Sequence, residues 1–458
     1  MWFFLPLIQE YYRSGEFSKI NKLKDSIKEN LKFQLIVGSL GLVALIYFFI
    51  RYGFNFDTFK NLLIGASHVY SLILSLWLMS HGLVAIPRRR WNNNFNLDYQ
   101  LENLYFEIPK AYDEYNESAY NFKDICSIIR SLQNIHGIEQ SVFHNEVQFL
   151  ASLIPEDINL RHHVVSAEFT SIQQLSSQTL SRLHQTFKKE KTNYNSSLYG
   201  FNKYKLNILD LQDITESKSA GILRFRTFNP LIKNEKVLYY LYVYIIPTFN
   251  LLFASFQFIL SFIIIESEIL HSTKFSIINI LLLSERITST LKLALSIVFL
   301  TYMVTSALIS LTRIKIFKIY HLFPINSNPV SVIFFIMYSN RLTIPLSFNF
   351  LTFLNNNKIQ SQFNLFLGES INASIVGGFL NSNVPRLIII PLLLTTFNVY
   401  DKLKKTISWD YLMDFLDSDD DDESYGRGTD KRESLIKEGK LIIQRELNST
   451  QNNLNDTL

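Results

Sequence analysis

Blocks of apolar residues alternate with polar stretches along the whole chain. A helix needs about 20 apolar residues to cross the roughly 30 Å hydrocarbon core of a bilayer. Five blocks of at least that length run over 31–50, 62–87, 237–265, 287–311 and 330–354. The pattern therefore predicts an all-α, polytopic helical membrane protein. A sixth block, 387–399, is shorter, and Pro385 and Pro391 obscure where its helix begins. The last four blocks together predict a four-helix transmembrane region over 237–400.

A long polar insert, 92–236, separates the second span from the third. Its apolar residues recur every three or four positions, at Leu101, Leu104, Tyr105, Ile108, Ile125, Ile128, Ile129, Leu132, Ile135, Phe169, Ile172, Leu175, Leu180 and Leu183. Charged and amide residues fill the gaps, which indicates amphipathic helices that bury one face against each other. We expect a helical hairpin or a short coiled-coil-like insert. Pro155 and the Asn-, Ser- and Lys-rich region 188–205 are expected to interrupt it, and no clean heptad persists.

The two ends of the chain have different patterns. Residues 2–8 are apolar but too short to span a bilayer, and they lack the basic start and cleavage site of a signal peptide. We predict that they end a helix that begins upstream, so that 1–91 holds a truncated first span and two transmembrane helices. Near the other end, the acidic run 417–423 repels itself. It predicts a largely disordered acidic tail over 401–458, with a short exposed helix at 431–447.

The distribution of Lys and Arg orients the predicted helices. Basic residues concentrate in one alternating set of connecting segments, at 19–28, 88–90, 313–318 and 402–405. The opposite set is poorer in them. By the positive-inside rule the first set is cytosolic, which places the insert and the tail in the cytosol. Asn372 begins an Asn-Ala-Ser acceptor sequence on the opposite side and is the candidate glycosylation site.

Composition narrows the functional classes. The 458-residue chain is 48% hydrophobic with a net charge of +4, so it is too apolar for an ordinary soluble protein. No basic field suggests nucleic acid, which leaves the lipid bilayer and other proteins as expected partners. The single cysteine, Cys126, excludes an internal disulfide and a thiolate metal cluster within one chain. We predict an integral, multi-pass protein of the plasma membrane or an endomembrane.

The span 330–354 carries the strongest candidate for a polar site. Its candidate residues are Asn340, Arg341, Pro345 and Asn349. A charge at the bilayer centre costs at least about 2.5–3.5 kcal/mol, so the arginine must face other helices, a partner or a water-filled cavity. Pro345 removes a backbone hydrogen bond and kinks a helix. One interpretation is a substrate or ion path; the other is a structural arginine bonded to carbonyl groups opened by the proline.

Other polar residues give weaker signals. Glu266 and Glu268 end one predicted span and Glu285 and Arg286 precede the next, so these groups either pair near the interface or include a proton-coupling carboxylate. His68 and His81 lie about 20 Å apart along one helix, which is too far to share a metal. The adjacent pair at 162–163 points apart. We therefore predict no metal site, no cofactor and no catalytic residue. Hydrolase, zincin, Walker and kinase motifs are absent from the sequence, so an enzyme is not expected.

Four stretches, at 5–18, 82–88, 341–351 and 438–440, occur in the order typical of a known family. Their sequences are LPLIQEYYRSGEFS, GLVAIPR, RLTIPLSFNFL and EGK. With them the chain resembles the limb-region (LMBR-like) integral membrane protein family, most of all a fungal-like, N-terminally shortened member of its domain-containing-protein-two branch. The family usually has an acidic residue where Ala85 stands and a second proline where Ile344 stands. About nine spans are usual in that family.

The resemblance implies partners rather than one chemistry, because members are described as lipocalin receptors, as a partner in cobalamin export and as regulators of receptor signalling. Two hypotheses follow. The first is a non-enzymatic scaffold or receptor-associated protein in membrane trafficking or receptor signalling, which binds protein partners through its cytosolic insert and tail. The second is a transporter or transporter subunit with a polar cavity around Arg341.

Overall fold

A computed structural model of the chain describes residues 3–53, 56–95, 97–133, 141–155, 175–226, 234–271, 273, 275–313, 322, 327–353, 362, 383–397 and 429–455. These residues form helices joined by turns, with no strand among them. The helices are α1 (Phe4–Arg13), α2 (Lys19–Tyr52), α3 (Phe56–Phe95), α4 (Leu97–Gln133), α5 (His144–Ser152), α6 (Ser177–Ala220), α7 (Glu235–Tyr240), a π-helix (Leu241–Ile245), α8 (Ile246–Ile269), α9 (Ile277–Leu283), α10 (Ser289–Arg313), α11 (Pro329–Phe353), a 3-10 helix (Val384–Ile388), α12 (Ile389–Thr396) and α13 (Thr429–Asn455).

Five of the described helices are long and apolar enough to cross a membrane. Their spans are Lys19–Tyr47, Phe59–Asn92, Glu235–Ile269, Ser289–Arg313 and Pro329–Phe353. They match the five complete apolar blocks of the sequence, so the all-α polytopic fold is confirmed. The sixth block forms the shorter apolar helix Val384–Thr396. This shorter helix begins with the 3-10 helix Val384–Ile388. Pro385 lies at the start of that 3-10 helix, where a missing backbone N–H is tolerated.

The helix α3 is the centre of the bundle and packs against α8, α10, α11 and α12. The end of α3 meets the start of α8, where Asn250 Nδ2 donates to Asn94 Oδ1 over 3.1 Å. Further along, Ser261 Oγ donates to the carbonyl oxygen of Leu83 over 2.8 Å. These two contacts make α3 and α8 antiparallel. The buried core of the bundle includes Leu72, Met79, Leu83, Ile264, Phe299, Met303, Leu342 and Leu346.

A glycine brings α3 and α10 into backbone contact. A Cβ atom at Gly82 would overlap the carbonyl oxygen of Ser306 and lie 2.8 Å from Ser310 Oγ. Small residues let helix backbones approach closely, which is how helices associate in lipid. Next to this contact, His81 Nδ1 and Ser310 Oγ are 3.2 Å apart. The GLVAIPR stretch therefore contributes a helix crossing.

The helix α2 stands apart from the bundle core. Its apolar residues are exposed over most of the span, including Leu35, Ile36, Leu40 and Val43. Gly38 and Gly41 are small residues that would allow close helix contact, but the described part of the chain places no helix against them. A Cβ atom at either position would meet nothing within 4 Å. Glycine pairs permit close contact but cannot create it without a partner helix.

The insert forms the predicted helical hairpin. Its helices α4 and α6 run antiparallel, because Tyr105 meets Gln212 near one end and Phe122 meets Phe187 near the other. We expected 188–205 to interrupt the insert, and this was wrong: α6 continues through it. Tyr194 and Phe201 from this stretch face Tyr115 on α4, so aromatic packing outweighs the helix-disfavouring Asn and Ser residues.

The tail helix α13 is also more than the short exposed helix that we expected at 431–447. It covers Thr429–Asn455 and packs against α4. Ile442 and Ile443 are buried in one cluster with Ile108, Phe201 and Ile208. The partner face on α4 lies more than 300 positions earlier in the chain, so the local pattern could not identify it. The acidic run 417–423 lies outside the described residues.

Candidate functional site

The four residues of the predicted polar site all lie on α11, at different depths. Asn340 and Arg341 are half-buried, whereas Pro345 and Asn349 are buried. The guanidinium of Arg341 lies 5.4 Å from the ring centroid of Tyr338. Eight positions at 1.5 Å each place Arg341 and Asn349 about 12 Å apart along the helix. The arginine and this asparagine therefore occupy different levels of the bundle.

Asn349 belongs to a buried polar cluster between the C-terminal ends of α8 and α11. We call Glu268, His271, Asn349 and Thr352 the α8–α11 polar cluster. Asn349 Nδ2 donates to Glu268 Oε1 over 2.6 Å, and both side chains are fully buried. Thr352 Oγ1 and His271 Nε2 are 3.1 Å apart. The cluster thus joins two spans by polar contacts.

Several atoms of this cluster have no hydrogen-bond partner among the described residues. They are Glu268 Oε2, Asn349 Oδ1 and His271 Nδ1. A buried polar atom left unpaired costs about 1–3 kcal/mol. Unsatisfied groups are rare in native structures and point to a ligand, ion or functional role.

The neighbouring polar residues around this cluster have structural partners. Glu266 Oε2 accepts from the backbone N of Ile277 over 3.0 Å. Arg386 Nη2 lies 3.4 Å from the carbonyl oxygen of His271 and donates to it. The sequence groups Glu266 with Glu268, whereas the structure separates their roles. The sequence pattern did not identify His271; its signal was its place directly after a span, at the same end of the bundle as Asn349.

The insert and α13 form a second candidate site, which we call the helical module: α4, α5, α6 and α13. A Cβ atom at Gly439 would overlap the carbonyl oxygen of Tyr105 and lie 3.0 Å from Ile108 Cγ2, so α13 lies directly on α4. Lys205 Nζ and Glu446 Oε2 form an ion pair at 2.9 Å. Arg432 Nη2 donates to Asn103 Oδ1 over 2.6 Å. The EGK stretch therefore lies at a packing contact within the module.

The turn after α1 attaches the membrane bundle to this module. A Cβ atom at Gly15 would overlap the carbonyl oxygen of Ser181 and lie 2.9 Å from the backbone N of Gln185. His184 Nδ1 lies 2.6 Å from the carbonyl oxygen of Gly15, so Nδ1–H donates and Nε2 is the unprotonated nitrogen. Lys188 Nζ donates to the carbonyl oxygen of Ser14 over 2.5 Å. Since α1 also packs against α11, this turn couples the module to a span.

Burial lowers the pKa values of the two basic side chains that hold this turn, His184 and Lys188. Burial, with a smaller contribution from the positive charges of Lys188 and Lys22, lowers the pKa of His184 to about 4. Burial and then Lys22 lower the pKa of Lys188 to about 8. Desolvation disfavours the charged form of a base. The attachment is therefore built around a neutral imidazole.

We expect the attachment to weaken in acid. Between pH about 6.5 and 4 the unfolded chain binds a proton at His184 that the folded chain does not. The stabilisation of the folded chain that comes from the neutral imidazole is therefore fully present above pH 6.5. It decreases by at most about 3 kcal/mol as the pH falls to 4. Thermal unfolding of the purified full chain across this range measures the slope. His184→Gln should flatten it, whereas His144→Gln on α5 should not; an equal slope in His184→Gln would contradict the assignment.

The remaining histidines that we weighed as ligands have other contacts. His68 is buried, with its ring centroid 5.0 Å from that of Phe348 in an edge-to-face arrangement. His81 contacts Ser310. Over the described ranges, no group of three or more His, Cys, Asp or Glu residues is placed to hold a metal ion. The pair 162–163 and Asn372 lie outside those ranges.

Comparisons with known proteins add a family and several relatives. The profile of the family described as "LMBR1-like membrane protein" matches residues 1–400. The "G-protein coupled receptor-associated protein LMBRD2" of Caenorhabditis briggsae is 24% identical over 98% of this chain and 71% of its own length. The "LMBR1 domain-containing protein 2 homolog A" of Dictyostelium discoideum is 24% identical over 99% of this chain and 61% of its own length. The "G-protein coupled receptor-associated protein LMBRD2" of Gallus gallus is 23% identical over 97% of this chain and 67% of its own length. No solved structure matches the chain.

Proposed function

We propose that this chain, which belongs to the LMBR1-like membrane protein family, is a non-enzymatic, receptor-associated scaffold. The family that its motifs predicted is confirmed, and the chain is an integral, multi-pass membrane protein. Relatives are named as receptor-associated proteins or as LMBR1 domain-containing protein 2 homologues. The chain spans 61–71% of the length of three of them, so every activity assigned to this chain beyond membership is part of the proposal.

The observation that carries this proposal is the attachment of the helical module to the bundle. The turn at Gly15 is packed against α6, and the polypeptide between α3 and α4 is a single residue, 96. A module held in this way presents a fixed surface next to the membrane. On its helices lie the exposed apolar residues Tyr120, Phe149 and Leu206, and Val142 is exposed just before α5. Fixed exposed apolar groups favour recognition of protein partners, because less conformational entropy is lost on binding.

The transporter hypothesis is tested against the scaffold hypothesis with two variants of the full chain. Gly439→Leu forces α13 from α4 within the module, and Arg341→Ala removes the guanidinium group of α11. A scaffold should lose co-purification of G-protein coupled receptors in Gly439→Leu and keep it in Arg341→Ala. A transporter should reach its membrane as Arg341→Ala yet lose flux. Receptor binding that is unchanged in Gly439→Leu, with Gly41→Leu as the control, would refute the scaffold.

The orientation makes a separate prediction. We expect Asn372 to receive a glycan, because the distribution of Lys and Arg predicts that the segment after α11 lies on the side of the membrane opposite the module. Asn116 on α4 and Asn195 on α6 should stay unmodified. Treatment of the expressed chain with a glycosidase should increase its gel mobility, and Asn372→Gln should abolish that change. A glycan on Asn116 would show that the module lies on the luminal side of the membrane and would contradict the predicted orientation.

A further inference from the structure

Where α8 and α11 end, a carboxyl group is enclosed that has no cationic partner among the described residues. The side chain of Glu268 is 0% exposed, and its Oε1 accepts one hydrogen bond, from Asn349 Nδ2. The other oxygen, Oε2, has no partner among the described residues, and neither has Asn349 Oδ1. Two unpaired oxygens therefore belong to one bonded pair of side chains that links two spans.

The charged and titratable groups around Glu268 leave its carboxyl group without an ion pair in the described part of the chain. On α8 and the elements packed against it, these groups include Glu266 on α8, His271 just after it, His68 on α3, Arg386 on the 3-10 helix and Lys292 near the start of α10. Arg386 donates to a carbonyl group, and the ring of His68 packs on Phe348. The nearby α9 contributes an amide, Asn279, whose Oδ1 also has no partner within the described ranges.

An ionised Glu268 carboxylate in this enclosed position needs a bound positive charge to neutralise it. Enclosing a carboxylate costs several kcal/mol even after relaxation. One hydrogen bond to a charged group returns about 1.5–3 kcal/mol. A single amide donor therefore does not compensate for a full negative charge. A bound proton neutralises this charge. Unlike a metal ion, it requires no further ligands and no additional space.

We propose that Glu268 is the acid of a proton-binding site that couples α8 to α11. When the helix ends are packed, the proton is bound to Oε2 and Asn349 Nδ2 donates to Oε1. When the ends separate, the Oε2–H bond breaks and the proton passes to water at the end of the bundle opposite Arg88, Arg89 and Arg90. Asn349 is a positioning residue, because it fixes the orientation of the carboxyl group. This inference does not depend on the scaffold function.

Infrared difference spectroscopy of the full chain in lipid vesicles tests the proposal. We expect a C=O stretching band of a protonated carboxyl group at neutral pH that Glu268→Gln removes. Glu266→Gln is the matched control, two positions away, and should retain the band. Asn349→Ala should shift the frequency of the band, which a merely structural role for Asn349 in helix packing would not predict. The band should be the same in sodium and in potassium buffers.

A second measurement follows the coupling and remains informative if Glu268→Gln is unstable. In a Cys126→Ser background, Thr352→Cys places a thiol in the cluster. Its labelling by a maleimide should rise with pH at least tenfold more in the Glu266→Gln chain than in the Glu268→Gln or Glu268→Ala chain. Equal pH dependence in these chains, or a carboxyl band that survives Glu268→Gln, would overturn the proposal. A band that sodium alone removes would also overturn it, because the ligand would then be sodium.

Discussion

Replacing Gly82 with leucine is expected to cause the largest loss of stability in the transmembrane bundle. A Cβ atom there overlaps the backbone carbonyl of Ser306, and backbone on both sides cannot rotate away as a side chain would. Overpacking usually costs about 1–3 kcal/mol, and this contact belongs at the upper end of that range. The variant should therefore unfold at a clearly lower temperature in detergent micelles. Thermal unfolding followed by size-exclusion chromatography measures the change.

Gly38 provides the matched control for this substitution. It lies in the middle of another span, and a Cβ atom there meets nothing within 4 Å. Gly38→Leu should therefore keep the unfolding temperature of the unsubstituted chain or raise it, since leucine favours a helix more than glycine does. If Gly82→Leu and Gly38→Leu had equal stabilities, the close crossing of α3 and α10 would be wrong.

Replacing Gly15 with leucine is expected to detach the turn after α1 from α6. Its added Cβ atom would overlap the carbonyl oxygen of Ser181, and Phe17 in the same turn packs on the cluster that contains Cys126. Cys126 is fully buried, and burial raises the pKa of its thiol from 9.0 to about 12. That rise lowers the thiolate fraction at neutral pH about a thousandfold, so the unsubstituted chain should react very slowly with maleimides.

The labelling rate of Cys126 then measures the attachment. If Gly15→Leu removes about 2 kcal/mol of local stability, the open form becomes about 30 times more populated. The thiol should react faster by a similar factor, and no other cysteine in the chain contributes. Gly41→Leu, on the exposed face of α2, should leave the rate unchanged. An unchanged rate in Gly15→Leu would show that the turn does not close the core around Cys126.

The positions of the spans and of the insert helices followed from apolar length and periodicity. Both signals are local, since a helix of given length must bury its apolar face whatever the partner is. The same locality explains what the pattern left open or missed. Gly38 and Gly41 are small residues typical of a helix contact, but no described helix lies against them. Residues 188–205 have a poor helix composition, yet Tyr194 and Phe201 keep α6 continuous through contacts with α4.

Only part of the candidate site could be predicted from the sequence. Asn349 was identified because an amide inside an apolar span is conspicuous. Its bond to Glu268 was not, because the two residues are 81 positions apart and the contact depends on how two helices rotate and at what depth they meet. Arg341 looked like the centre of the site, since a guanidinium in a span has the largest transfer cost. The structure places the fully buried, unpaired groups two turns away from it.

The sequence by itself determined that this protein is helical, crosses a membrane several times and carries a long amphipathic insert, because these properties depend on the order of apolar and polar residues in each segment. Only the tertiary structure decided which faces meet: α13 on α4, the turn at Gly15 on α6, and Glu268 on Asn349. Burial of an apolar face is encoded locally, whereas the choice of partner depends on shape complementarity and on polar pairs between distant segments.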